Sequence, residues 1–378
     1  MNPNGPPPRR EGELGGEKRL EVLYSIRNAL VHYWEADGLV YSVKNRVYRL
    51  HDLARPQPEP LGLIPWRPFE LLGHIRLADR AIKASILQVH DTGKQGLLVE
   101  NGHSRWTLMP GGTVEPLSSF PKTRPMNRGV CTSVQGVTYV ADYFANTDRK
   151  EPVRIHRSRD LSRFEVAWEF PPGDIRHVHA VIPDPEDDRR IWVLTGDTDP
   201  ESRILFTDDD FATLRTFLSD GQRTRATDLV IREGRLIWGM DSPETTSSIV
   251  SADKNGGGGI STWQELPGPA YYMTRNRAGG VYIGTTAEPG AGVQDRSGHL
   301  FGLLPDQTWS EVLRRRKDHF PQHGIFYLPR GVLPDNYLVY SQRALHPQEG
   351  RMIVARDRGW APTGEAPQRA SPALPSRP

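Results

Sequence analysis

Four short apolar segments, each with a central aromatic residue, recur along the middle of this 378-residue chain. They read "VTYVAD", "RIWVLTGD", "RLIWGMD" and "GVYIGTT", and their aromatic residues are Tyr139, Trp192, Trp238 and Tyr282. The intervals between these residues are 53, 46 and 44 positions. A period of about 40–50 residues is typical of one four-stranded blade of a β-propeller.

Further strand-like segments keep the same phase. "GVCTSV", "HVHAVI", "TDLVI" and "YYMT" precede the four aromatic segments, and two more apolar segments follow most of them. The chain also contains 36 glycines and 33 prolines, which leave little room for long helices. We therefore predict an all-β fold, a β-propeller of four-stranded antiparallel blades.

The number of blades depends on the flanking regions. Residues 74–118 can form one blade, beginning with "IKASILQV", and residues 320–358 can form another. Residues 20–66 can form a further blade, or only a strand that completes the last blade. The sequence thus predicts six or seven blades.

The two ends of the chain differ in composition from the rest. Residues 1–19 and 361–378 contain few large apolar side chains, so we expect a disordered leader and a disordered tail around a propeller domain at 20–360. The start has no apolar stretch of the kind that a secretion signal needs, and no run approaches the length of a membrane span. We expect a cytoplasmic protein.

Charge and cysteine content exclude some functions. The net charge of +2 gives no strong field for nucleic acid, which we do not expect as a partner. Cys131 is the only cysteine, so the chain can form neither an internal disulfide nor a multi-cysteine zinc site. We interpret it as a buried structural thiol.

Three turns between the third and fourth strands of the repeats begin with Ser or Thr, then any residue, then Asp. They start at Ser158, Thr207 and Ser251, and the second reads "TDDDFATL". This pattern resembles the Asp-box (BNR repeat) of sialidase-like β-propellers, with the box positions Thr207, Asp209, Thr213 and Leu214 and with Phe211 in place of the usual Gly. In that family such a turn lies on the outer rim, so the resemblance implies a structural role for Asp209, with Asp208 and Asp210 as solvated neighbours.

The resemblance has limits that bear on function. The motif set of true sialidases is absent, because the chain has no Arg-Ile-Pro motif and no recognisable arginine triad. True sialidase activity is therefore not expected. The sequence as a whole also resembles uncharacterised propeller proteins associated with bacterial surface-polysaccharide genes. This resemblance implies a link to glycans.

Functional residues of a propeller are expected at one end of its central channel, where the innermost strands begin and the second strands end. "RHVHAV" is the most informative segment there, because His177 and His179 lie two positions apart and face the same side of a strand. We predict catalytic roles for His177, His179, Asp228 and Asp241. A hydrogen-bonded structural role is the alternative for such a short motif.

We predict no cofactor, and a divalent metal at the two histidines is the secondary interpretation. That metal would need a third ligand from a neighbouring blade, with Asp228 and His323 as donors. Predicted ligand-binding residues share the same positions on inner strands and loops: Arg128, Asp142, Asp197, Arg225, Trp238, Tyr272 and His323. For Trp238 the alternative is a place in the core.

Two classes of function remain open. The first is a propeller that binds a glycan or another small polar ligand, with a glycan hydrolase or a polysaccharide lyase as its enzyme form. The second is a non-catalytic scaffold that binds protein partners. An enzyme should bring several polar side chains together in one axial pocket, whereas a scaffold should have a filled channel.

Overall fold

The chain forms a seven-bladed β-propeller, which the computed structural model describes for residues 19–35 and 38–360. Each blade is a four-stranded antiparallel meander, and its first strand lies nearest the axis, next to the first strands of the neighbouring blades. The predicted leader and tail lie outside the described residues, except for Arg19. None of the helices in the described part of the chain is long and apolar enough to span a membrane.

The first three blades each follow chain order from the axis outward. Blade 1 contains β2 (Ala29–Glu35), β3 (Gly38–Val43), β4 (Arg46–Leu50) and β5 (Glu59–Leu63). Blade 2 contains β6 (Gln88–Asp91), β7 (Leu97–Glu100), β8 (Arg105–Leu108) and β9 (Val114–Pro116). Blade 3 contains β10 (Val130–Thr132), β11 (Thr138–Ala141), β12 (Val153–Ser158) and β13 (Glu165–Phe170).

The next three blades repeat this order. Blade 4 contains β14 (Val178–Pro183), β15 (Ile191–Thr195), β16 (Arg203–Thr207) and β17 (Arg215–Leu218). Blade 5 contains β18 (Val230–Arg232), β19 (Arg235–Gly239), β20 (Ser247–Asp253) and β21 (Ser261–Leu266). Blade 6 contains β22 (Ala270–Asn276), β23 (Val281–Thr285), β24 (Ser297–Leu303) and β25 (Trp309–Lys317).

Blade 7 is built from both ends of the domain. Its inner strands are β26 (Ile325–Tyr327), β28 (Tyr337–Arg343) and β30 (Arg351–Asp357), and its outermost strand is β1 (Leu20–Arg27). The two alternatives predicted for residues 20–66 are thus both realised, because β1 completes the last blade while β2 to β5 form a blade of their own. The ring contains seven blades.

A few elements lie outside the blade pattern. Strands β27 (Val332–Leu333) and β29 (Leu345–His346) extend blade 6 at its two edges. One α-helix, α1 (Arg76–Ile82), and 3₁₀ segments at Pro68–His74, Gly93–Gln95 and Gly221–Thr224 complete the described structure. The predicted strand "IKASILQV" is wrong for Ile82 to Leu87: Ile82 is the last residue of α1, and β6 starts only at Gln88.

The core is divided among the blade interfaces. Each pair of adjacent blades shares its own cluster of buried apolar side chains, and these clusters continue around the ring. The repeated aromatic residues of the sequence all lie on the second strands of their blades and are almost completely buried: Tyr139, Trp192, Trp238 and Tyr282. The regular spacing of these aromatic residues therefore arises because each occupies the same core position in its blade.

The turn of blade 4 that carries three consecutive aspartates is held together locally. The Asp209 carboxylate accepts hydrogen bonds from the Thr213 backbone N–H (2.9 Å) and hydroxyl (2.7 Å). Phe211 has φ +65°, the left-handed conformation that glycine usually adopts, and its buried ring contacts Tyr139 of blade 3. Asp208 pairs with Arg190, at 2.8 Å. Asp209 thus organises its own turn.

Ring closure involves a buried ion pair. The Arg19 guanidinium donates to both carboxylate oxygens of Asp357, at 2.7 and 2.5 Å, and also to the Ser310 hydroxyl of blade 6. Asp357 is fully buried and accepts a further hydrogen bond from the Tyr282 hydroxyl, at 2.8 Å. The residue before β1 thereby joins the outer strand of blade 7 to blade 6.

We expect the Arg19→Met variant to lose about 3–5 kcal/mol of unfolding free energy, because it leaves the Asp357 carboxylate buried without its counter-charge. The measurement is chemical denaturation of both proteins. The control is Arg154→Met, which removes an ion pair to Glu169 whose two side chains are 39% and 48% exposed and should cost less than about 1 kcal/mol. Equal losses in the two variants would contradict a role for Arg19 in ring closure.

Candidate functional site

Polar side chains converge at the end of the channel where the inner strands begin. Strand β14 starts there and β15 ends there, and the two are paired so that Val178 faces Thr195. His177 and His179 therefore lie beside the loop that follows β15, and that loop carries Asp197. The start of a strand and the loop after its neighbour meet because the strands are antiparallel.

A β-bulge shapes the first strand at this point. The pairing of β14 with β15 shifts between Val178 and Ala180, so His179 has no direct partner in the ladder. Bulges re-aim side chains and are frequent beside active sites. The inner strands of blades 1 and 6 have the same irregularity, at His32 and Tyr271. The result at blade 4 is that the two histidine Nε2 atoms lie 3.1 Å apart.

Asp197 completes this cluster through an unusual backbone conformation. Its φ is +150°, which non-glycine residues rarely adopt and which is often found where function requires strain. The preceding Gly196 permits the close approach, since a Cβ there would lie 3.3 Å from the Arg225 side chain and 3.4 Å from the His179 ring. Oδ2 of Asp197 lies 3.5 Å from Nε2 of His177, and Oδ1 lies 3.5 Å from Nε2 of His179.

These three side chains fit a divalent metal. Ligand atoms about 2.1 Å from a metal lie about 3.0–3.4 Å apart at octahedral or tetrahedral angles. The two Nε2 atoms lie 3.1 Å apart, and each lies 3.5 Å from a different oxygen of Asp197. With one ligand atom taken from each residue, the three atoms lie within 4.8 Å of one another. Two imidazoles and one carboxylate are ligands that zinc, manganese and iron(II) accept. His177, His179 and Asp197 could therefore hold a metal after a small inward adjustment.

The hydrogen bond on the far side of His179 supports this arrangement. Its Nδ1 donates to the backbone carbonyl of Ala226, at 2.9 Å. A carbonyl only accepts, so the proton of the neutral ring sits on Nδ1 and Nε2 keeps a free lone pair. Metal-ligating histidines almost always make such an outer bond. His177 instead stacks on the Tyr143 ring, with centroids 4.1 Å apart.

Two arginines also hold the Asp197 carboxylate. Arg176 donates to it at 2.7 Å, and an Arg225 nitrogen lies 3.3 Å away. Burial by itself would raise the pKa of Asp197, but its interactions with His177 and His179 outweigh burial and hold that pKa well below its usual range. Asp197 is thus an anion at neutral pH, as a ligand must be, and a metal would share it with Arg176 and Arg225.

Asp241 lies next to this cluster and has the opposite electrostatic character. It follows β19, is almost completely buried, and its carboxylate lies 3.7 Å from Nε of Arg225. Burial raises the pKa of Asp241 to about 7, even though the Arg225 charge opposes the shift. A carboxyl group with a pKa near neutral can both accept and donate a proton under physiological conditions.

A second acid and histidine lie on the blade 6 and blade 7 side of the same opening. His323 Nδ1 is 3.1 Å from the Glu288 carboxylate. The hydrogen bond that His323 donates to the Glu288 carboxylate raises the pKa of His323, whose side chain is 46% exposed. Arg225 helps to lower the pKa of Glu288 and Glu288 helps to raise that of Asp241, which ties the pair to the cluster electrostatically.

Three predicted site residues lie deeper in the channel. Arg128 Nε donates to the Asp228 carboxylate at 2.7 Å, and its terminal nitrogen donates to the carbonyls of Met273 and Leu328. Tyr272 lies beneath the same guanidinium, with its ring centroid 5.1 Å away. No hydrogen bond or ion pair joins Asp228 to the histidines in the part of the chain that the structure describes. The structure brings together His177, His179, Asp197, Arg225 and Asp241, and it places Asp228 elsewhere.

Two further predicted residues face away from the opening. The Asp142 carboxylate accepts the backbone N–H of Arg154, at 2.9 Å, and lies 3.2 Å from His156 on the third strand of blade 3. Trp238 has no exposed surface, and its Nε1 donates to the carbonyl of Arg223 at 2.8 Å. Trp238 therefore belongs to the core, as the alternative interpretation had it, because it packs between blades 4 and 5.

Sequence reasoning did not select Arg176, Tyr143 or Arg330. Arg176 directly precedes the His-x-His pair, and Tyr143 directly follows Asp142. Their places next to predicted site residues could have identified them. Arg330 follows β26 in the channel and donates to the backbone carbonyls of Val130 and Asn127. Nothing in its local sequence distinguishes it from a surface arginine.

Comparison with known proteins supports the fold but does not assign the chain to a family. No protein-family model matches the sequence, and no curated protein matches it. Among solved structures, virginiamycin B lyase from Staphylococcus aureus is similar, with a TM-score of 0.55 and 8% identity over 89% of this chain and 99% of that one. The WD40 propeller domain of Doa1 gives 0.52 and 9% over 90% and 99%. At these identities, the likeness shows the propeller fold alone.

We expect the protein to bind Mn²⁺ or Zn²⁺ at this cluster and the His179→Ala and Asp197→Asn variants to bind it at least about 100-fold more weakly, since outer-shell partners alone change affinity by about 10–100-fold. The measurement is isothermal titration calorimetry with the metal alone. His156→Ala is the control, because this histidine pairs with Asp142 away from the cluster. Equal affinity in all four proteins would exclude the site.

The raised pKa of Asp241 predicts a pH-dependent stability. Because its folded-state pKa of about 7 lies above the ordinary 3.8, ionising it costs folding free energy, and stability falls as pH rises through about 4 to 7. In Asp241→Asn we expect the loss of unfolding free energy between pH 5 and pH 8 to shrink by about 1–3 kcal/mol. Denaturation at both pH values measures it, with the exposed Asp188→Asn as control. An unchanged loss would show that Asp241 titrates normally.

Proposed function

We propose that the protein is an enzyme that uses a divalent metal at His177, His179 and Asp197 to cleave an oxygen-rich substrate, by hydrolysis or by elimination. The substrate class that we propose is a glycan of bacterial polysaccharide metabolism, handled in the cytoplasm. The observation that carries the proposal is the convergence of the two histidines and Asp197 with Arg225 and Asp241 at one mouth of the channel.

Each residue has a role that follows from its chemistry. A metal there would polarise a substrate oxygen. Asp241, with its pKa near 7, would move a proton to or from the substrate, and Arg225 beside it would bind an anionic group such as a carboxylate. His179 would be kept in its metal-binding tautomer by the Ala226 carbonyl.

The composition of the mouth supports a sugar-like ligand. Tyr143 and Tyr271 are half-buried at the opening, and aromatic rings with a polar tip suit ligands that present both an apolar face and hydroxyl groups. Burial raises the pKa of Tyr143 to about 12, so its hydroxyl stays protonated and can donate a hydrogen bond. Carboxylates and guanidinium groups around these rings would accept from and donate to the hydroxyls of the same ligand.

The test is an activity screen with Mn²⁺-loaded protein against neutral and uronate-containing polysaccharides. We expect new chain ends in wild type, and ultraviolet absorbance from an unsaturated product if the reaction is an elimination. Asp197→Asn should lose both metal and activity, whereas Asp241→Asn should keep the metal and lose activity about 100-fold or more, the usual worth of a general acid or base.

The Asp208→Asn variant is the control, because Asp208 pairs with Arg190 on the outer rim and should retain full activity. Two results would refute the proposal: cleavage that survives in both site variants, or metal binding without cleavage of any polysaccharide in the panel. The different behaviour expected of Asp197→Asn and Asp241→Asn separates metal binding from proton transfer.

A non-catalytic scaffold is the second candidate, and one observation favours it. The segment between blades 1 and 2 exposes a group of large apolar side chains: Phe69, Leu71, Leu72, Ile75 and Leu77. Exposed apolar groups this close together often mark protein contacts. If the protein is only a scaffold, substitutions at the His-Asp cluster will leave its partner binding unchanged, whereas Leu71→Ser with Leu72→Ser will abolish it.

A further inference from the structure

A cavity opens at the end of the channel opposite the histidine cluster. It has a volume of about 450 Å³ and is lined by the last residues of the inner strands and the turns that follow them, including Pro183, Ile231 and Thr274. The histidine cluster lies where those strands begin. A volume of this size is in the range of small-molecule sites, which are roughly 300–1,000 Å³.

The walls of this cavity are mainly apolar. Its lining includes Val181, Ile182, Leu229, Met273 and Val332. Val134 lies at its edge with 67% of its surface exposed. The cavity can therefore cover the apolar part of a ligand.

The inner end of the cavity carries an excess of positive charge. Arg128 is neutralised by Asp228, at 2.7 Å. Arg330 is half-buried in the same lining and donates only to the backbone carbonyls of Val130 and Asn127, and no ion pair joins it to a carboxylate among residues 19–35 and 38–360. Burial and then repulsion by Arg128 lower its pKa to about 9, so it remains a cation at neutral pH.

The two other carboxylates of the lining do not balance Arg330. Asp184 is paired with Lys254, at 3.1 Å, and Asp188 is exposed at the rim. The Thr274 hydroxyl is buried in the lining and has no hydrogen-bond partner in the described structure. A buried hydroxyl without a partner costs free energy, which a ligand atom would recover.

We propose that this cavity is a second ligand site, which takes an organic monoanion with an apolar body, its carboxylate at Arg330 and its chain along the apolar walls. An anion at Arg330 would supply a counter-charge to this guanidinium, and charge-assisted hydrogen bonds to guanidinium are the strong kind. The site does not depend on the metal cluster, because the Arg128–Asp228 pair separates the two ends of the channel.

The probe is octanoate, compared with octylammonium, which has the same chain length and the opposite charge. Calorimetry and thermal shift at neutral pH should show binding and stabilisation by octanoate only. Arg330→Met should weaken octanoate binding about tenfold or more, because it removes the charged partner. Val134→Glu should weaken it several-fold by repulsion at the rim, while the matched Val134→Gln should not.

The outcomes that overturn the proposal are equal binding of the two probes, no binding of octanoate, or wild-type affinity in Arg330→Met. If Arg330→Met does not fold, the comparison of Val134→Glu with Val134→Gln tests the proposal instead. Equal octanoate affinity in these two variants overturns it. Asp197→Asn, at the other end of the channel, should bind octanoate as wild type does. A loss there would place octanoate in the histidine mouth instead.

Discussion

The Arg128–Asp228 ion pair crosses the axis of the propeller, and both ends of the channel depend on it. Arg128 precedes the inner strand of blade 3, and Asp228 precedes that of blade 5. The same guanidinium donates to the backbone of blade 6 at Met273 and of blade 7 at Leu328. One side chain therefore connects four blades at a level where no sheet hydrogen bond can reach across.

This pair also explains why the channel has two chemically different ends. On one side of it lie carboxylates and imidazoles, whose charges compensate one another through Arg176 and Arg225. On the other side lie apolar walls and Arg330, whose charge has no such partner in the described part of the chain. Burial raises the pKa of Asp228, while Arg128 and the Met273 backbone N–H oppose that shift. A buried charge of this kind is tolerated only when such partners surround it.

The fold could be predicted from the sequence to a large extent, because the aromatic residue on the second strand of a blade is under the same packing constraint in every copy. Tyr139, Trp192, Trp238 and Tyr282 all occupy that position. Blade 2 was harder, because its second strand has Leu98 and Val99 there instead of an aromatic residue and because α1 precedes its first strand.

The site could be predicted only in part, because depth along an inner strand leaves no trace in the sequence. His177 and Asp228 both precede inner strands, but one lies at the mouth and the other at the level of the axial pair. The third member of the histidine cluster was expected from a neighbouring blade, and the structure brings Asp197 from the same blade. That placement depends on a β-bulge at His179 and a positive φ at Asp197, neither of which follows from residue type.

The completion of blade 7 by β1 has a consequence for how the protein is made. A ribosome releases the amino end of a chain first, so β1 emerges before every other strand of the ring, yet its partner β30 is synthesised last. Blades 1 to 6 can form one after another before β1 has its partner strand. The pairing of β1 with β30 is slow, because the two strands are so far apart in the sequence. Strand β1, the outermost strand of blade 7, thus lacks its partner until the last strand of the ring has been made.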